Sequence, residues 1–281
     1  MKQIKVQCPA KINLTLEVLN RREDGFHNIK SIMQTISLYD FLTVKAESGT
    51  GIEILLDGNS DKIPYDEKNL VFKAAKAFLE RAGINNVKIS IFIEKNIPVE
   101  AGLAGGSTDG AGTFFALNEL FGKPLNKGEI EELCASLGSD LNFCLNGGTA
   151  ICTGRGENTE KLPSPALNIS LIKPLGFGIS AKEAYTKFAG LKDKSVPDNT
   201  EKLAELLANG GFDGKLLYNS LENAVIGDYS ELREIKTALP RAMMSGSGPT
   251  FFVLEEKVNQ KFANMLVIEG LKTTTEGVKA I

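Results

Sequence analysis

Pro98-Val99-Glu100-Ala101-Gly102-Leu103-Ala104-Gly105-Gly106-Ser107-Thr108-Asp109 is the stretch that decides how the rest of the chain is read. It follows the clearest strand, where Val87, Ile89, Ile91 and Ile93 alternate with Lys88, Ser90 and Phe92. It precedes an expected helix over 108–121, with Ala111, Phe114, Leu117 and Phe121 on one side. Glycines allow positive φ and let a ligand approach the main chain with no Cβ in the way. The free N–H groups at the start of the following helix, aligned with its dipole, suit an anion such as a phosphate. Ser107 and Thr108 add hydroxyls for phosphate oxygens or a magnesium ion, with Ser107 the better placed protein ligand for the metal. The loop lacks the Gly-Lys-Ser/Thr ending of the P-loop and the Gly-x-Gly-x-x-Gly dinucleotide fingerprint. No protein-kinase catalytic loop occurs either. A plain tight turn before a helix is the competing reading.

Working outward, 281 residues suffice for about two domains and a sizeable core. A 42% hydrophobic and 24% charged composition is that of an ordinary globular protein. With a net charge of −3 and no basic run, nucleic acid is not expected as a partner. No apolar stretch reaches membrane-spanning length, and the start of the chain lacks a signal-peptide core. The four cysteines, Cys8, Cys134, Cys144 and Cys152, have no metal-ligand spacing and suit reduced, buried positions in a cytoplasmic protein.

Strands are expected over 4–18 and within 41–56, and a helix over 69–82 with Gly83 at its C-terminal cap. Asn126 and Glu129 form a capping box for a helix over 127–137, closed by Gly138. Pro163 and Pro165 mark a boundary between domains at 1–160 and 161–281. Beyond it lie an expected strand (167–173) and a helix opened by Ser180 and Glu183. Further helices are expected near 201–208, 218–226, 229–239 and 258–270, a glycine turn runs into a strand within 243–254, and a last strand is expected near 277–281. Strands mixed with helices, not in strict alternation, imply two α+β domains.

Residues 98–108 resemble the central ATP loop of the GHMP kinases, the family of galactokinase, homoserine kinase, mevalonate kinase and phosphomevalonate kinase. Cys8-Pro9-Ala10-Lys11-Ile12-Asn13-Leu14 resembles the family's first motif, and Met244-Ser245-Gly246-Ser247-Gly248-Pro249-Thr250 its third. The three occur in the family's order across nearly the whole chain. The resemblance implies a ribosomal-protein-S5-domain-2-like N-terminal domain and a ferredoxin-like C-terminal one, with ATP as co-substrate and Mg2+ as cofactor. It assigns Lys11 and Asp140 as the catalytic pair. Pro98, Val99, Glu100, Ala101, Gly102, Leu103, Ala104, Gly105, Gly106, Ser107 and Thr108 would hold ATP, with Asn69 and Lys95 toward the adenine.

Arg22-Glu23-Asp24-Gly25-Phe26-His27 and Tyr185 resemble the branch of the family whose acceptor is a cytidine diphosphate ester. By that likeness Phe26 and Tyr185 would sandwich the cytosine, His27 would read its edge, and Asn13 would face the acceptor alcohol. A neutral imidazole both donates and accepts a hydrogen bond, which suits a base edge. Taken alone, these are a loop histidine and two core aromatics, Lys11 a strand-edge lysine and Asp140 a turn residue. Departures from the family pattern are Ala104, Asp109, Gly110, Gly112, Asn142, Phe26 and Ala181. Gly110 and Gly112 would cost about 1 kcal/mol each against alanine in a helix. A GHMP kinase for mevalonate, phosphomevalonate or homoserine would have no base to stack. A non-catalytic nucleotide-binding or RNA-binding protein would need neither Lys11 nor Asp140. The expected molecule works as a monomer or weak homodimer.

Overall fold

A computed structural model describes residues 2–281. In chain order it contains β1 (Lys2–Arg21), β2 (His27–Ser48), β3 (Ile52–Gly58), α1 (Leu70–Arg81), β4 (Val87–Glu94), α2 (Gly105–Leu120), α3 (Lys127–Leu137), α4 (Leu141–Asn146), β5 (Thr149–Gly154) and β6 (Asn158–Leu162). There follow β7 (Asn168–Pro174), α5 (Ala181–Ala189), α6 (Asn199–Ala208), β8 (Tyr218–Asn219), α7 (Ser220–Val225), α8 (Ser230–Ala238), β9 (Met243–Met244), β10 (Phe251–Val253), β11 (Met265–Lys272) and β12 (Lys279–Ala280). One sheet runs β12-β1-β2-β4-β3, with β5 on β2, β6 on β5 and β8 on β1. The second runs β11-β7-β10-β9. The fold is thus mixed α and β with two sheets, and β8 and β12 return from the second half of the chain to pair with β1.

Two apolar cores hold this together. One face of β1, β2 and β4 packs under α1, α2 and α3, with Val6, Leu42, Ile91, Phe78 and Phe114 buried there. Between the sheets, Ala10, Ile12, Leu14, Ile32 and Ile36 meet Ile169, Leu171, Phe252 and Leu203. The even-numbered residues of β1 contribute to both cores, which a flat strand could not do, since its side chains alternate faces strictly. The register with β2 slips between Pro9 and Ala10 and again between Asn13 and Thr15. The first slip takes up two extra residues of β2 and the second one extra residue of β1, and the side chains of β1 change core at each. Val6 and Cys8 therefore lie under α2, Ala10 to Leu14 turn to the other core, and Leu16 and Val18 return. The same reversal sends Lys11 and Asn13 to the opposite face from their even-numbered neighbours.

Helix caps form largely where the sequence puts them. Asn69 caps α1 by accepting from the Val71 N–H at 2.9 Å, and Gly83 follows with φ 66°. Asn126 and Glu129 exchange both bonds of a capping box. Ser180 accepts from the Glu183 N–H at 3.1 Å, but the Glu183 carboxylate turns to Tyr229 and Lys187. α2 opens at Gly105, three residues earlier than periodicity indicates, because Ala104, at φ 57° and ψ 29°, ends the loop. Gly112 has a packing role: a Cβ there would lie 2.4 Å from the Cys8 Sγ, so the helix sits closer to β1 than alanine permits.

The helix expected over 258–270 does not form. Met265–Lys272 is a strand on the edge of the second sheet, paired with β7. Leu266, Val267 and Ile268 suit a strand, Asn264 at φ 56° breaks any helix before it, and Gly270 at φ 71° sits in the register shift between Ile268 and Leu271. The helix expected over 218–226 begins two residues later, because Tyr218 and Asn219 pair with β1. β2 extends back to His27, and α4 was not legible in the periodicity at all.

Candidate active site

Lys11 lies inside the sheet, 4% exposed, opposite Thr35 of β2. Its N–H donates to the Leu103 carbonyl at 3.1 Å, which fastens the glycine-rich loop to β1. Its ammonium donates to Asn13 Oδ1 at 2.7 Å and lies 3.6 Å from Asp140 Oδ2. Asn13 Nδ2 in turn donates to Ser31 Oγ at 2.9 Å, and Ser31 Oγ donates to the Thr15 carbonyl at 2.5 Å. This chain fixes the amide so that its oxygen faces the lysine. Asp140 precedes α4, yet its carboxylate caps no N–H there, which leaves it free to face Lys11. Asn142, at the second residue of that helix, donates to the Glu157 carbonyl at 3.2 Å.

The loop between β4 and α2 is anchored from below. Ile97, Ala101 and Leu103 are buried in the core between the sheets. The side chains of Ala101 and Leu103 thus face away from any ligand, and the loop offers its main chain. Glu100 and Ala104 have φ of 51° and 57°, conformations that L-residues adopt at a cost of about 1–2 kcal/mol. The N–H groups of Gly105, Gly106 and Ser107 lie in the first turn of α2, whose cap makes no side-chain hydrogen bond, and a Cβ on Gly106 would meet nothing within 4 Å. Gly102, with φ 73°, packs on the second glycine turn so closely that a Cβ would lie 2.1 Å from the Ser245 carbonyl oxygen. Ser245 Oγ also donates to the Gly102 carbonyl at 3.0 Å.

Two residues the sequence did not single out hold that second turn. Asn219 Nδ2 donates to the carbonyls of Met244 at 2.7 Å and Gly246 at 2.9 Å, while its Oδ1 caps α7 by accepting from the Leu221 N–H. Glu222 accepts from the Met244 N–H at 2.9 Å and pairs with Lys236 at 2.8 Å. An asparagine just before a helix is a capping signal; placing the helix start at Tyr218 hides it.

The loop separates two cavities. The larger, about 850 Å3, is lined by Lys11, Asn13, Phe26, His27, Asp140 and Tyr185 among others. The smaller, about 250 Å3, is lined by Ile63, Asn69, Lys95, Asp109 and residues 98–106. Gly102 and Ala104 border both, so they meet at the loop beside the Lys11–Asp140 pair. Ser107 faces the larger cavity, whereas Thr108 is fully buried and its hydroxyl has no partner. Asn69 also donates to the Pro64 carbonyl at 2.6 Å, so both ends of its amide already have partners.

At the far end of the larger cavity the aromatic residues take a different arrangement from a Phe26–Tyr185 pair. Tyr185 stacks on His27, with ring centroids 5.5 Å apart and planes 22° from parallel. Phe26 is 53% exposed, with the Arg155 guanidinium 5.3 Å from its ring centroid. Burial, with Arg21 and Lys194 nearby, pushes the His27 imidazole below its ordinary pKa and keeps it neutral at pH 7. Burial, and then the Asp140 charge, push the Tyr185 phenol up.

Beneath the loop, Lys95 is enclosed by carboxylates. Its ammonium meets Asp40 Oδ2 in a short contact and Asp109 Oδ2 at 2.7 Å. Burial opposes the Lys95 charge, but Asp109 and Asp40 outweigh it and raise its pKa. Burial raises the Asp109 carboxyl to about 7, Lys95 opposing and Asp40 reinforcing the shift. Asp109 also lines the smaller cavity, with its carboxylate held on Lys95. All four cysteines are buried and free, and burial raises the thiol pKa of each. Among the described residues no helix is long and apolar enough to cross a membrane.

A glycine loop over an open helix start, beside a lysine–aspartate pair, is the arrangement of a small-molecule kinase, and this chain belongs to the GHMP kinase family. Residues 69–150 match the family's N-terminal domain. The chain is 39% identical, over 99% of its length and 96% of the relative's, to 4-diphosphocytidyl-2-C-methyl-D-erythritol kinase of Bacillus cereus. It is 41% identical to that of Clostridium acetobutylicum, over 89% of this chain and 90% of the other. A crystal structure of 4-(cytidine 5'-diphospho)-2C-methyl-D-erythritol kinase superposes with TM-score 0.73 at 32% identity, covering 90% of each chain. Homoserine kinase from Cytophaga hutchinsonii, at 21% identity, shares the fold over 100% of this chain and 98% of its own, with TM-score 0.77.

Proposed function

We propose that this chain transfers the γ-phosphoryl group of ATP to the 2-hydroxyl of 4-diphosphocytidyl-2-C-methyl-D-erythritol, a step in non-mevalonate isoprenoid precursor formation. The observation that carries the reading is the Lys11–Asp140 pair beside the loop where the two cavities meet. ATP lies in the smaller cavity, with its phosphates on the N–H groups at the start of α2. Asn69 and Lys95 lie toward its adenine. The cytidine ester lies in the larger cavity. Phe26 and Tyr185 flank its base, His27 reads the base edge, and Asn13 faces the methylerythritol. The His27–Tyr185 stack must open for the base to enter.

In the reaction the acceptor oxygen attacks the γ-phosphorus in line as the bond to the bridging β,γ-oxygen breaks, leaving ADP. Asp140 takes the hydroxyl proton. Lys11 keeps that carboxylate ionised and offsets charge on the transferring group, and Asn13 steers the ammonium. In this reading Mg2+ is held chiefly by phosphates and water, with Ser107 as its protein ligand. When bound, the ion neutralises phosphate charge.

Residues 1–160 form the ribosomal-protein-S5-domain-2-like ATP-binding domain in this reading, and 161–281 the ferredoxin-like one. The second sheet is built wholly from residues after 161. In this reading the enzyme is a cytoplasmic monomer or weak homodimer. An ADP-release assay with Mg-ATP and a panel of the cytidylyl-methylerythritol, mevalonate, homoserine and galactose tests the proposal. Turnover with the cytidine ester alone, competed by CDP, is the expected result; turnover with another panel member in its place would overturn it.

A further inference from the structure

The cluster under the loop has one carboxylate more than its ammonium needs. Asp40 is fully employed: its Oδ1 accepts from the N–H groups of Asn96 at 2.6 Å and Ile97 at 2.8 Å, and its Oδ2 meets Lys95. Asp40 alone would neutralise Lys95 and tie down the entrance to the loop. Asp109 makes a single side-chain bond, to Lys95, and its Oδ1 is buried with no partner. A buried, half-satisfied carboxylate costs free energy and holds together nothing that Asp40 does not. Its position is nonetheless specific. It stands in the second turn of α2, and the Lys95 ammonium that it shares lies only 2.8 Å from where a Gly105 Cβ would be, at the helix start that faces the smaller cavity.

We propose that Asp109 is a positioning residue that limits the enzyme's hold on its nucleotide, by engaging the Lys95 ammonium at the edge of the smaller cavity and adding negative charge beside the phosphate-binding helix start. Two consequences follow from charge alone. The Lys95 hydrogens directed at the carboxylates are not offered to the nucleotide, and the surplus charge opposes the phosphates across a partly buried path, where screening is weak. ATP and ADP are affected alike, so the device favours release of the product nucleotide. This inference rests on the smaller cavity being the nucleotide site.

The test is calorimetric titration of the full chain with Mg-ADP at pH 8.5, comparing the wild type with Asp109→Asn and Asp109→Ala. The expected result is about tenfold tighter binding in both variants, with KM for the cytidine ester unchanged. Adding Lys95→Gln to Asp109→Asn should erase the gain. A residue that merely supported the fold would weaken binding when removed, so equal or weaker binding in correctly folded variants overturns the inference. If neither variant folds, as judged by circular dichroism, Asp109 is a structural residue and the inference is likewise overturned. Failure of the wild type to bind Mg-ADP would instead sink the nucleotide reading itself.

Discussion

Gly102→Ala tests whether the two glycine loops act as one unit. A Cβ at Gly102 would lie 2.1 Å from the Ser245 oxygen and 3.1 Å from the Gly248 nitrogen, on a residue with φ 73°. Ordinary contact needs about 3.4 Å, so the loops must part by roughly 1 Å. The left-handed conformation costs about 1–2 kcal/mol for alanine. Loss of the Ser245–Gly102 hydrogen bond adds about 1 kcal/mol, and overpacking about 1–3 kcal/mol. The sum is about 3–6 kcal/mol. With an unfolding entropy of about 2.1 cal/mol/K per residue, that lowers Tm by about 5–10 °C. A shift of 1 Å between reacting groups is worth about a hundredfold in rate, so kcat/KM for ATP should fall by about that factor. Gly106→Ala is the control, because its Cβ would enter open space in a helix that gains about 1 kcal/mol from alanine; its Tm should hold or rise slightly. Coupled ADP-release kinetics and thermal unfolding read both variants. Gly102→Ala with kcat/KM within threefold of wild type and Tm within 1 °C would refute the reasoning.

Asp140→Asn should cut kcat by about 10²–10⁴-fold while calorimetry finds Mg-ADP affinity within threefold; survival of turnover would remove Asp140 as the base. His27→Ala should raise KM for the cytidine ester about tenfold, from loss of one or two base hydrogen bonds, and leave KM for ATP unchanged. The folded-state pKa of His27 lies below its ordinary value, so as pH falls through 6.5 the unfolded chain takes the proton first and stability drops. His27→Gln should therefore gain Tm on the wild type at pH 5.5 and not at pH 7.5; equal differences at both would contradict that sign. Asn219→Ala removes three buried hydrogen bonds and should cost about 3 kcal/mol, seen as a Tm loss of about 5 °C and a lower kcat; an unchanged Tm would mean that the turn holds without it.

The loop and its flanking elements were legible in the sequence because their signals are local. Alternation marks β4, the glycines mark the turn although Glu100 and Ala104 share the positive φ with Gly102, and Asn126–Glu129 marks a helix start through side chains three residues apart. Lys11, Asp140, His27 and the second glycine turn could be named by family resemblance, since such motifs survive as short contiguous strings. Met265–Lys272 was misread because a short apolar run suits either helix or strand, and the partner that decides, β7, lies about a hundred residues away.

What the tertiary structure alone decided lies in registers and close approaches. The bulges at Pro9 and Asn13 are set by pairing with β2, and they decide which face receives Lys11 and Asn13. Periodicity cannot show this, because the irregularities arise from two extra residues of β2 at one point and one extra residue of β1 at the other. Gly112 reads as a weak helix residue until Cys8 is seen beneath it. Asp109 reads as a stray charge near a glycine loop until Asp40, from within β2, and Lys95, just past the end of β4, close on it. The sequence by itself determined, through its motifs, which residues to propose for holding ATP and taking a proton; packing across the sheets determined that they meet, since only long-range contact can bring β1, the β4–α2 loop and the start of α4 to one point.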